Sequence, residues 1–208
     1  MRLQLLYEQD IAGKPHGCSY IRLLRPFSHP LIADKFKITA GSKLPEEHLD
    51  AVILERLWLP GFIMDQAEKI LETLAKRKIP MIYTLDDNLL DLNLEPGVKN
   101  FPTNEQRQII RLFAQEAKGV IVSTNPLGER MQRFNPNVVV VPNQLDERLF
   151  PLRRATRKRD KIHFGYMGTF SHLEDLLMIL PPILGLLVFS WISVSEKVTS
   201  VREMKRTH

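Results

Sequence analysis

The chain of 208 residues holds one cysteine, Cys18. A single thiol excludes an internal disulfide and a cysteine-based zinc site, and it suits a reducing compartment. The first ten residues, MRLQLLYEQD, lack a long apolar core and a small-residue cleavage site, so no secretory signal is expected. No internal repeat of short period is present. Evenly spread positive charge is also missing. The formal net charge is +5, yet Arg153 to Lys161 alone carries six basic residues and one acidic one, which leaves the remainder neutral. Nucleic-acid binding asks for a basic face interleaved with aromatics, so nucleic acid is not an expected partner. What is present is ordinary for a globular protein, with 44% hydrophobic and 25% charged residues. A chain of this size builds a core without staples.

Strand and helix patterns alternate. Arg2 to Tyr7 reads as a first strand, Gly13 to Gly17 as a loop, and Ser19 to Leu24 as helical. Phe36 to Thr39 is a short strand. Ala51 to Glu55 (AVILE) is a continuous apolar run, the pattern of a parallel strand buried on both faces. Phe62 to Lys78 predicts an amphipathic helix with Ile63, Ala67, Ile70, Leu71 and Leu74 on one face. Lys76, Arg77 and Lys78 complement its dipole, and Pro80 stops it. Met81 to Leu85 is the next strand. Thr103 and Gln106 form a capping box for a helix running to Lys118, with Gly119 as its end. Val120 to Ser123 is a strand, Asn125 and Pro126 open a helix through Phe134, and Asn137 to Val141 is a last strand.

This order predicts an α/β protein with a doubly wound, Rossmann-like parallel sheet over residues 1–150. Ligands of such sheets sit beyond the carboxyl ends of the strands. The segments to search are Gly13–Tyr20, Glu55–Gly61, Asp86–Asp91, Ser123–Asn125 and Pro142–Asp146. Residues 151–161 are charged, lack apolar period and read as a linker.

Several groups carry chemistry. Asp86 and Asp87 follow a strand, where paired carboxylates serve as a base, as ligands of sugar hydroxyls or as magnesium ligands. A helix N-cap with an acidic first turn is the plainer reading. An aspartate-rich motif of isoprenoid synthases is excluded, because those proteins are all-helical. Gly13, His16 and Gly17 form a flexible turn feeding a helix, suited to a hydroxylated or anionic ligand. His16 is a candidate base or an idle loop histidine. Cys18 reads as a buried structural thiol. Glu55 stands where a phosphoacceptor receiver has its aspartate, but the strand VIVST lacks the required lysine. Gly165, Gly168 and Thr169 follow a strand and precede a helix, so their amides suit a phosphate or make a plain tight turn. No P-loop lysine accompanies them. Leu176 to Ser195 carries no charge over 20 residues, long enough to span a membrane. Pro181 and Pro182 interrupt it, so a buried helix ending near Leu180 is expected.

Together these stretches resemble GT-B-fold glycosyltransferases of the group 1 (family 4) type over about Met1 to Leu180. VVVVPNQLDERLF resembles the end of the family's first domain, with Pro142, Asn143, Asp146 and Phe150 in place and Gln144 where the family has glycine. IYTLDDNLLDL and IHFGYMGTFSHLEDL resemble segments of a subset acting on surface polysaccharides. The resemblance implies two Rossmann-like domains facing across a cleft. Residues 1–150 would be the acceptor side, 151–161 the hinge, and 162–183 the start of the domain that binds the nucleotide-sugar donor. Residues 184–208 no longer resemble the family, nor does a glutamate pair of its donor domain occur in the right context. A truncated or frame-shifted donor domain is therefore expected.

The expected activity is transfer of a sugar from a nucleotide-sugar to a cell-surface glycan or lipid-linked precursor, with retention of configuration and weak or no turnover by this chain. Asp86 and Asp87 would orient a hydroxyl or stabilise positive charge at the anomeric carbon. Gly165, Gly168, Thr169 and His172 would meet the donor phosphates, and Gly13, His16 and Gly17 would line the acceptor side. No cofactor and no metal is implied. The expected location is the cytoplasm, with peripheral contact at the inner membrane face through the basic linker. The alternative is a non-catalytic module that binds a glycan or a partner enzyme.

Overall fold

The computed structural model describes residues 1–59, 61–92, 102–149, 163–164, 173–189 and 193–194. It divides into two compact units, Met1–Pro151 and Leu152–His208.

The first unit is built on six parallel strands, β1 (Arg2–Leu6), β2 (Lys37–Gly41), β3 (Ala51–Glu55), β4 (Met81–Leu85), β5 (Gly119–Val122) and β6 (Val138–Val140). Their order in the sheet is β2-β1-β3-β4-β5-β6. From β1 the chain crosses to β2 in one direction, through α1 (Gly17–Ser19), a π-helical stretch (Tyr20–Leu24), α2 (Arg25–Phe27) and α3 (Pro30–Ala33). From β3 it steps the other way, through α4 (Met64–Lys76), α5 (Asn104–Glu116) and α6 (Asn125–Met131). Parallel crossovers are right-handed, so reversing the direction puts the two sets of helices on opposite faces. The α/β, Rossmann-like architecture expected from the sequence is what forms.

Register explains both cores. Leu6, Leu54, Tyr83, Val120 and Val138 stand side by side across five strands. They pack with Ala67 and Leu74 of α4, Ile109, Ile110 and Phe113 of α5, and Leu127 and Met131 of α6. One residue earlier the side chains point the other way. Leu5, Ile53 and Ile82 form that row and meet Leu23, Leu24 and Phe27. The central strand β3 is buried at every position, as its apolar run predicts.

Some expected boundaries shift. Ile63 is the N-cap of α4 and is 46% exposed, so it does not belong to the core face. The Thr103–Gln106 capping box forms, with N–H···O distances of 2.9 and 3.2 Å. Gly119 opens β5 and does not end α5, which gives way to an extended residue at Ala117. A Cβ at Gly119 would lie 3.3 Å from the Asn137 carbonyl oxygen, so a side chain there would crowd the adjoining strand. Thr124, not Asn125, caps α6. That helix ends early because buried Asn135 turns the chain, donating to the Ala114 and Ala117 carbonyls at 2.8 and 2.7 Å.

In the second unit, β7 (His163–Phe164) and β8 (Ser193–Val194) pair in parallel around α7 (Leu173–Phe189), a βαβ unit. The expected stop near Leu180 is wrong, because Pro181 and Pro182 lie inside α7. Each proline removes one i→i−4 donor, leaving the carbonyls of Leu177 and Met178 without that partner. Both residues are exposed, so water can take those bonds. The tail expected to diverge supplies β8. Among the described residues no helix is long and apolar enough to cross a membrane. The linker of residues 151–161 lies outside the described residues.

The core and the exposed cap of α4 make different demands. Leu54→Ala, at a fully buried site, is expected to cost about 2–5 kcal/mol. Ile63→Ala should stay within about 0.5 kcal/mol. Urea unfolding of both variants checks this, and equal losses would contradict the assignment of faces.

Candidate functional site

The reversal of crossover direction falls between β1 and β3. Chains leaving these neighbours diverge to opposite faces, which opens a crevice beyond their carboxyl ends. The residues just past β1, β3 and β4 are Tyr7–Glu8, Arg56–Leu57 and Asp86–Asp87, so polar side chains from three separate loops converge there.

Glu55 closes β3 and is 1% exposed. Its Oε2 accepts the Glu8 N–H at 3.0 Å and also the Ser19 hydroxyl. Its Oε1 has no partner. Burial pushes the Glu55 pKa above its ordinary value against those two donors, and the Asp86 and Glu8 charges push the same way. Ser19 Oγ also lies 2.7 Å from the Glu8 carbonyl oxygen, so one hydroxyl, its single proton shared between two acceptors, ties the helix after β1 to both strand ends.

Arg56 follows in a left-handed conformation, φ 48°. Its N–H bonds the Thr84 carbonyl at 3.1 Å, and its carbonyl accepts the Tyr83 hydroxyl at 3.0 Å. Burial holds that phenol well above its ordinary pKa, so it stays a neutral donor. The turn sends the Arg56 guanidinium among acids. Nε lies 3.2 Å from Glu8 Oε2, and Nη1 lies 3.7 Å from both Asp86 Oδ1 and Asp87 Oδ2. Burial works to lower the Arg56 pKa, but Glu8 and Asp86 carry it above its ordinary value.

The two expected carboxylates differ. The Asp86 side chain is 8% exposed and that of Asp87 is 61% exposed. Their loop forms turns and starts no helix, which sets aside the helix-cap reading. Ser123 donates to the Asp86 carbonyl at 2.6 Å. Further along, Arg107 donates to the Leu90 and Leu92 carbonyls at 2.7 and 2.9 Å, and Arg130 pairs with Asp91 at 2.8 Å. The loop is therefore held from behind by α5 and α6.

His16 joins the same crevice. Its N–H donates to the Glu8 carbonyl at 3.0 Å, and its half-exposed ring places Nδ1 4.0 Å from Glu8 Oε2. Gly17 begins α1, with open space where a Cβ would be. Gly13, φ 80°, turns the exposed loop that a Gln9–Pro15 bridge closes. Cys18 Sγ lies 3.8 Å from Arg56 Nη1. Burial, followed by Asp86, pushes this thiol up to about 12, which makes it a poor nucleophile, although Cys18 is only partly buried and not the fully buried thiol expected. Gly165, Gly168, Thr169 and His172 lie outside the described residues.

The structure thus brings Asp86, Asp87 and His16 together and adds Glu8, Ser19, Glu55 and Arg56, which the sequence reading did not place in the site. The available signal was a charged Glu-Arg pair ending a buried strand. Asp146 serves another end. It pairs with Arg25 and Arg148, both at 2.7 Å, and His29 meets Glu147 at 2.8 Å. Arg148 also donates to the Arg25 and Ser28 carbonyls at 3.0 and 3.1 Å, and Arg22 to Asn143. These contacts strap residues 141–149 onto the helix after β1. Bonds from Arg148 hold Asp146 far below its ordinary pKa.

Among the described residues no group of three or more His, Cys, Asp or Glu side chains could hold a metal ion. A groove of about 350 Å³ between α4 and α5, lined by Glu68, Leu71, Glu72, Ala75, Leu112 and Glu116, lies on a helical face away from the strand ends. No protein-family model and no curated protein matches the chain.

Two opposite pH dependences follow. Glu55 binds a proton more tightly folded than unfolded, so its contribution is full below its ordinary 4.5 and fades as pH rises. The stability of the wild type relative to Glu55→Gln should therefore fall as pH rises above that value in urea titrations. A constant difference would show that Glu55 stays ionised. Asp146 is depressed, so its contribution is present above 3.8 and is lost as pH falls below that value. Asp146→Asn should remove that part of the acid transition, and an unchanged transition would dismiss the strap's role.

Proposed function

We propose that the first unit is the acceptor side of a glycosyltransferase that moves a sugar from a nucleotide-sugar to a cell-surface glycan or lipid-linked precursor. The observation that carries this reading is the convergence of Asp86, Asp87 and His16 at the reversal point of a parallel sheet, over a buried Glu8–Arg56 pair. Such transfer needs a group to orient the attacking hydroxyl and negative charge near the anomeric carbon, where positive charge develops. Asp87, 61% exposed and touched only at 3.7 Å by Arg56, presents its carboxylate to a hydroxyl. Asp86, held against Arg56 and sealed from water, supplies field more than contact. The donor's phosphates carry the wrong sign for this crevice. Gly165, Gly168, Thr169 and His172 would meet them, in a separate unit. The basic residues of 153–161 would favour contact with an anionic membrane surface, where lipid-linked acceptors reside.

The test is incubation of the full chain with uridine, guanosine and thymidine diphosphate sugars and a lipid-linked acceptor, read by mass spectrometry. Slow transfer is expected, falling by about a hundredfold or more in Asp86→Asn/Asp87→Asn. Saturable glycan binding with no donor turned over would defeat the proposal in favour of a non-catalytic binding module.

A further inference from the structure

Three carboxyl groups, those of Glu8, Asp86 and Asp87, gather around one guanidinium, and the Glu55 carboxyl accepts the Glu8 N–H beside them. Glu8 Oε2, Glu55 Oε1 and Asp86 Oδ1 are sealed from water and have no hydrogen-bond partner. More than nine-tenths of the Asp86 side chain is buried, and its Oδ1 shares Arg56 Nη1 at 3.7 Å with the exposed Asp87. Even with Glu55 neutral, three acids oppose a single cation. Charge held in a low-dielectric wall is poorly screened and projects into the crevice. The surface groups there are Asp87, the half-exposed His16 and the partly exposed Cys18.

We infer that this crevice takes an amine-bearing sugar, whose ammonium sits against Asp87 in the field of Asp86 and Glu8. The inference rests on reading the crevice as the acceptor side, and it names the acceptor's class. A neutral sugar would leave the buried acids uncompensated, and an acidic sugar or a phosphate would be repelled.

Cys18 provides the test, because it is the chain's sole thiol and lies at the site. The full chain is treated at low salt with two methanethiosulfonates of similar size, one trimethylammonium and one sulfonate. Both see the same thiol, so the ratio of their rates reports the local field. The net charge of +5 would by itself favour the sulfonate. The cationic reagent is nevertheless expected to react about tenfold faster. The ratio should shrink in Asp87→Asn and at high salt. Glucosamine should then protect Cys18 from a neutral reagent at concentrations where glucose and glucuronate do not. Equal rates, faster reaction of the sulfonate, or protection by glucuronate or uridine diphosphate would overturn the inference, as would no protection by glucosamine. These readouts need no turnover. Protection by glucosamine without any sugar transfer would sink the glycosyltransferase reading and leave the amine site standing.

Discussion

The contact on which the rest of the strand-end architecture depends is that of the Arg56 guanidinium with the acids around it. Glu8 and Asp86, from two loops and nearly sealed from water, would not lie together without a cation between them, since an ionised group without a partner is costly to bury. Arg56 reaches them only because its backbone is left-handed, a conformation costing a non-glycine residue about 1–3 kcal/mol. The surrounding bonds hold it there. Thr84 and Tyr83 from β4 grip its N–H and its carbonyl. Strain in the turn after β3 is thus offset by hydrogen bonds from the next strand. The same bonds align the arginine with the acids that follow β4.

Topology decides who meets whom. Glu8 and Glu55 are 47 residues apart, yet the Glu8 N–H reaches the Glu55 carboxyl because β1 and β3 are neighbours. They are neighbours because the chain places β2 on the far side of β1 and returns. Had the strands followed one another in simple order, β2 would separate these two acids and the crevice would not form. The helix after β1 then brings Ser19 into the gap, completing a three-way tie that includes both strand ends.

Local pattern revealed much of this fold. The runs AVILE and MIYTL are β3 and β4 to the residue, and the Thr103–Gln106 box is where spacing put it. Errors arose where a residue answers to a distant one. Ile63 has helical spacing but caps the helix from outside the core. Gly119 looks like a helix end but opens β5, where a side chain would crowd the Asn137 carbonyl just before β6. Pro181 and Pro182 read as a stop, although a helix tolerates missing donors where its carbonyls stay wet. The site divides in the same way. Asp86 and Asp87 could be found from one loop alone. Glu8 and Arg56 could not, because their roles exist only once β1, β3 and β4 stand in register.

The strap over residues 141–149 extends the same logic. Its polar residues Asn143 and Asp146 are engaged with Arg22 and Arg25, not with the crevice. Those arginines lie on the helical stretch that begins with Gly17 and delivers Ser19 to Glu55. The chain leaving β6 therefore grips the element that completes the site near β1, at the other side of the sheet. Between the strap's arginine partners and Ser19 runs a π-helical turn, the kind of irregularity that often marks functional positions. Pattern in the strap is then explained by what it must hold in place. Pattern in the loop after β4 is explained by what it leaves exposed.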